Sequence, residues 1–281
     1  MLCALVGWLA ETPVQAGVSG QGSSPGGIRS AAVQPAPLVT DSGPARSSKR
    51  GLLAPAMSAA MTAANASKQR QDRAFLQLTI RAAIQTGKCA RSSCMAGRPM
   101  SRNLAATQQP QIRDYFCGPA TISEMLAQMD HKVSQLKAAR ELGTTTAGTD
   151  WSDGTGYPMP NVLNRNQGRN DYVAVALPWS PTSAQIKTYE VDLVTDINHN
   201  GGVPLAGNAY EVAGGPHLVG NPEDQTIYHW IDIRGYQDLG AVTDYEDSVH
   251  DASSIGWDVP AYSSLASTTM ADILGARGYD W

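Results

Sequence analysis

A chain of 281 residues, 42% hydrophobic and 16% charged with a net charge of −4, is long enough for one sizeable core and too apolar to be disordered throughout. It holds no apolar run near the ~18–20 residues a membrane-spanning helix needs, which excludes a polytopic membrane protein. The charge is divided: residues 1–104 carry 12 Lys and Arg against 3 Asp and Glu, whereas residues 105–281 carry 9 against 22. An acidic second part argues against nucleic acid as a partner, because phosphate binding needs positive surface. The basic first third could touch an anionic cell envelope or fold back onto its acidic neighbour, and charge alone does not separate the two.

Residues 1–16 read as a secretory signal lacking its basic start. Leu2 to Ala10 have the length of the apolar region, and Val14-Gln15-Ala16 resembles a small-x-small cleavage site. This predicts a secreted protein. Residues 17–67 hold 32 Gly, Ala, Ser and Pro among 51 and no aromatic, so they cannot bury enough apolar area to offset chain entropy. They read as a disordered linker. Residues 68–104 begin with a basic amphipathic helix over 68–86, with Leu76, Ile80, Ala83 and Ile84 at helical spacing. They then carry Cys89 and Cys94, close enough for a small-loop disulfide in an oxidising compartment. Zinc would need two further ligands, and no second cysteine pair exists. The +9 against −13 split also allows this segment to act as a pro-region masking the acidic part.

From 105 to 281 the pattern is that of a folded domain. A helix opens at Cys117, with Pro119 near its start and Ile122, Met125, Leu126 and Met129 along one stripe. A second runs from Ser134, its N-cap, to Leu142, with Gly143 just past the end. The turn-rich stretch that follows contains Asp150 and Asp153, which turns explain better than a calcium loop. A short helix follows near Val162 and Leu163. Strands are expected at Tyr172–Leu177 and Val203–Ala206, with a helix at Ala184–Asn198 between them. Thr226–Arg234 alternates at period two, placing Ile227, His229, Ile231 and Ile233 on one face and Tyr228, Trp230, Asp232 and Arg234 on the other. A turn at 235–240 and a returning strand at Ala241–Asp247 complete an α+β order, helices before sheet.

Three features of this domain point to thiol catalysis. Cys117 sits at a helix start, where free N–H groups and the helix dipole favour a thiolate. Gln111 lies six residues upstream in a segment that must approach the same helix end, so its amide could join the Cys117 N–H as an oxyanion hole. His229 is on the apolar face of a strand, a suitable setting for a general base oriented by a carboxylate. Pairing across the turn places residue 229 opposite about 246, which favours Asp247 as that carboxylate. Asp244 is offset, and a one-residue slip would exchange Asp247 for Glu246. His217 in GGPHLVG could line a cleft.

The stretch QIRDYFCGPATISEML resembles the nucleophile motif of bacteriocin-processing-like cysteine peptidases, whose fold is papain-like. HWIDIRGY is similar to their histidine strand and YEDS to the segment with their aspartate, while YSSL…ILGARGYDW resembles the end of secreted single-domain members. The resemblance implies N-terminal helices packed on an antiparallel sheet and a hydrolase acting on peptide or protein substrates. It casts Cys117 as nucleophile, His229 as base, Asp247 as its orienter and Gln111 as oxyanion donor, with no cofactor and no metal. The alternatives are a catalytically silent module that binds peptides or a cell surface, and an acyltransferase using the same thiol.

Overall fold

Helix formation begins earlier than the basic segment. The computed structural model describes residues 56–85, 99–154, 156–169, 171–199 and 201–281, with side chains for all but 75–85. The signal, most of the linker, the Cys89–Cys94 pair and the apolar stripe of 76–84 lie outside those residues or side chains. α1 spans Ala59–Gln85 and so starts inside the stretch read as linker. Alanine is the best helix former, and the alanines of 59–66 carry the helix backwards without needing a core of their own. The Ser58 hydroxyl accepts the Met61 N–H at 3.1 Å and fixes the first turn.

The helical layer is α2 (Cys117–Gln128), α3 (Gln135–Leu142) and α4 (Pro158–Gln167). Ser134 caps α3 by accepting from the Lys137 N–H, and Gly143 leaves it in the left-handed conformation at φ 69°, as the sequence implied. The stripe Ile122, Met125 and Leu126 packs with Ala138 and Leu142 of α3 and with Met159, Val162 and Leu163 of α4.

Seven strands form one antiparallel sheet: β1 (Arg102–Asn103), β2 (Ala174–Ala176), β3 (Leu205–Glu211), β4 (Ile227–Gln237), β5 (Val242–Glu246), β6 (Tyr262–Ala266) and β7 (Gly278–Asp280). The order is β2-β7-β3-β4-β5-β6, and β1 pairs with β4 beyond the end of β3. Period-two alternation divides the sheet's contacts. Ala206 and Trp230 pack under α2 on one face. Leu205, Ala209, Ile231 and Ile233 pack on the other, under α5 (Ser183–Asn198) and α6 (Ser267–Ile273). The result is the expected α+β architecture, with helices on both faces.

The β4–β5 hairpin departs from its expected register. β4 continues to Gln237, and the turn is Asp238–Gly240, where Asp238, Leu239 and Gly240 all have positive φ. Asp232, not residue 229, stands opposite Glu246, and a bulge lies between Ile233 and Gly235. Gly235 is a strand residue here. It lets β1 approach, since a Cβ at this position would lie 1.6 Å from Asn103 Oδ1.

Candidate active site

α2 begins without help from a side-chain cap: Phe116 occupies the N-cap position and makes no capping hydrogen bond. The unsatisfied N–H groups of a first helical turn therefore gather around Cys117. Gly118 keeps this turn close to the following loop, because a Cβ there would meet Thr149 Oγ1 at 2.5 Å. The Thr149 carbonyl accepts from Trp230 Nε1 at 3.0 Å, and Trp151 stacks on Trp230 with centroids 6.0 Å apart. Loop 144–157 is thus pinned over the helix start, and Cys117 is 5% exposed.

His229 enters from β4 and is buried. Its Nε2 is 2.8 Å from Asp247 Oδ1. Because Glu246 lies opposite Asp232 on the α2 face, the next residue, Asp247, belongs to the face of His229. The two side chains meet despite the shifted register. Asp247 is itself held: its Oδ1 accepts from the Val249 N–H at 2.9 Å and its own N–H donates to the Ala261 carbonyl at 3.1 Å. The other two carboxylates weighed for this place go elsewhere. Asp244 accepts from Gln237 at 2.8 Å and from Ser264, and Glu246 accepts from Gln128 at 3.0 Å.

His229 Nδ1 has no nitrogen or oxygen partner. The Cys117 thiol acts on the ring electrostatically, beside Asp247. Burial opposes charge on the imidazole, but Asp247 and Cys117 together outweigh it and hold the His229 pKa well above its ordinary value.

Gln111 is buried and does not extend a free amide into the site. Its Nε2 donates to the Arg113 and Asp114 carbonyls at 2.7 and 2.9 Å, and its Oε1 accepts from Ser248 Oγ at 3.2 Å. In this geometry it staples the loop that leads into Cys117. It belongs to a crossbar, residues 108–112, that joins both sides of the site. Gln108 Nε2 donates to the Asp247 and His250 carbonyls at 2.9 and 3.2 Å, and the Gln111 N–H donates to the Ser248 carbonyl at 2.8 Å. The Gln109 N–H donates to Glu124 Oε1 at 2.7 Å, and Gln135 of α3 bonds the Ile112 N–H and the Pro110 carbonyl.

Sequence reasoning placed Asp232 on the second face of its strand and weighed Glu246 only as a substitute for Asp247, and it missed that the two gather with Glu124. Glu124, Asp232 and Glu246 are all buried and bring carboxyl oxygens within 4.8 Å of one another, the one group of this composition among the described residues. Burial foremost raises the pKa of each, and their mutual repulsion adds for Glu124 and Asp232. Such oxygens could hold a hard cation, and Glu124 Oε2, Asp232 Oδ1 and Glu246 Oε2 have no hydrogen-bond partner among the described residues. On the other side of His229, burial brings the Glu211 pKa up to about 7 while Glu211 accepts from the Leu218 N–H and Asn221 Nδ2. No sequence pattern announces their convergence, since they come from four elements, α2, β3, β4 and β5. Both ring nitrogens of His217 are engaged, with the Gly215 and Gln225 carbonyls at 2.9 Å. Asp153 accepts from the Gly156 N–H at 2.8 Å in a local turn.

Cys117 at an uncapped helix start and the buried His229–Asp247 pair are thus the expected groups that the structure places here. Residues 103–267 match the model of the Peptidase_C39 like family. The chain belongs to that family. Its α+β fold is therefore the papain-like one, and the family is one of cysteine peptidases, which implies a peptide substrate. No curated protein matches the chain. No described helix of this Peptidase_C39-like protein is long and apolar enough to cross a membrane.

Proposed function

We propose that this Peptidase_C39-like protein hydrolyses peptide amide bonds with Cys117 as nucleophile, His229 as base and Asp247 as its orienter. The observation that carries the reading is the buried 2.8 Å contact of His229 Nε2 with Asp247, which leaves Nδ1 to the Cys117 thiol. Nδ1 takes the thiol proton, and the thiolate sulfur attacks the carbonyl carbon while the carbonyl π pair moves to oxygen. The Cys117 N–H, at the start of α2, stabilises that oxyanion. Gln111 adds a second donor once one of its N–H groups leaves the Asp114 or Arg113 carbonyl. His229 then passes its proton to the leaving amine, and water attacks the acyl-enzyme by the same route.

The signal-like residues 2–16 support a site of action outside the cell. The test of the chemistry is Cys117→Ala, assayed with a quenched-fluorescent peptide library. Turnover should vanish while the melting temperature stays near wild type. Residual cleavage in that variant rules out Cys117. In the wild type, iodoacetamide at mildly acidic pH should label Cys117 quickly, and His229→Ala should abolish that speed.

A further inference from the structure

Glu124 takes no part in the chemistry above, yet it is wholly buried two helical turns from Cys117 on α2. Its Oε1 receives the Gln109 N–H at 2.7 Å. The other anchors of the crossbar lead away from this helix: Gln108 and Gln111 bind around Asp247 and Ser248, and Pro110 and Ile112 bind Gln135 of α3. Glu124 thus supplies the bond between residues 108–112 and the helix that carries the nucleophile.

We propose that Glu124 is a positioning residue for the oxyanion side of the site: by accepting from Gln109 it sets the placement of Gln111 relative to Cys117. This rests on the peptidase reading and adds to it a group that touches no reacting atom. The accepting function needs an oxygen and not a charge. A carboxamide of the same shape keeps that oxygen and should serve in its place.

The experiment compares Glu124→Gln and Glu124→Leu with two probes of the same thiol. Iodoacetamide labelling of Cys117 needs the thiolate alone. A peptide aldehyde needs the oxyanion donors too, because the sulfur bonds to the aldehyde carbon and the π pair moves to an oxygen that must be held. Glu124→Leu should weaken aldehyde binding about tenfold to a hundredfold while labelling stays within about twofold of wild type. Glu124→Gln should match wild type in both. Should Glu124→Leu fail to fold, Gln109→Pro deletes the donor from the crossbar side and should reproduce the selective loss. Three results overturn the proposal: unchanged aldehyde binding in the Leu variant, equal losses in both probes, or a Gln variant as impaired as Leu. Wild-type labelling indifferent to His229→Ala, or wild-type protein that binds no aldehyde of a varied panel, counts against the peptidase reading itself.

Discussion

The histidine at the centre of the site is held between two opposing influences. Burial would discharge the imidazole, and the Asp247 carboxylate with the Cys117 thiol keeps its proton on. A raised histidine pKa means that the stabilisation from the charged ring is complete below the unfolded value of about 6.5. It is lost as the pH climbs through the folded value. Asp247→Asn removes the charge that Nε2 faces, so the alkaline limb of Cys117 labelling against pH should move to lower pH. An unmoved limb would assign the proton's retention to some other group. Asp247 could be favoured from the sequence because alternation along β4 was legible, although the pairing used to reach it was offset by three residues. The aspartate meets His229 because face parity survives that offset, whereas the gathering of Glu124, Asp232 and Glu246 depends on pairing between distant elements that no local pattern shows.

Among the elements, those bounded by capping chemistry were the readable ones. Ser134 and Gly143 delimit α3 from side-chain and backbone rules that act within a few residues. The stripe of α2 likewise comes from packing that repeats at helical spacing. β6, α6 and β7 span 5, 7 and 3 residues, too few for a period to show, and β7 gains its central place in the sheet only from β2 and β3 on either side. The approach of loop 144–157 to α2 depends on a missing side chain at Gly118. Gly118→Ala should therefore cost about 1–3 kcal/mol in urea unfolding, as overpacking does. Thr149→Gly in the same chain should recover most of it, since the atoms that a new Cβ would meet all belong to Thr149. Additive losses in the double variant would mean that the two residues do not share this contact.

For the molecule as a whole, the contrast between basic and acidic parts becomes one specific ion pair. Lys68 of α1 reaches Asp196 of α5 at 2.7 Å and lies 4.3 Å from the Trp281 ring centre, and Asn65 accepts from Trp281 Nε1 at 2.9 Å. Burial raises the Asp196 pKa, with Lys68 opposing it. Lys68→Met should lower stability by about 3 kcal/mol, the cost of leaving a buried partner unpaired. Among the described residues α1 meets β2, α5, Tyr172 and Trp281, none of which carries Cys117, His229 or Asp247. Labelling of Cys117 should accordingly be unchanged by Lys68→Met. Faster labelling would indicate that α1 shields the thiol and would revive the masking idea. The α+β class was legible because helical periods precede alternating ones. The seating of α1 was not, because it depends on a lysine meeting an aspartate 128 positions away.

The crossbar of residues 108–112 has a mechanical consequence. It is tied on one flank to Asp247, Ser248 and His250 and on the other to α2 and α3, so the walls bearing the thiol and the imidazole are laced together beneath the reacting atoms. The two walls cannot part without breaking several of these hydrogen bonds at once. The start of α2 is covered, by contrast, by Thr149 and Trp151, whose own moorings to Trp230 are one hydrogen bond and one ring stack. The frame that spaces the thiol and the imidazole is therefore held by more bonds than the cover above it.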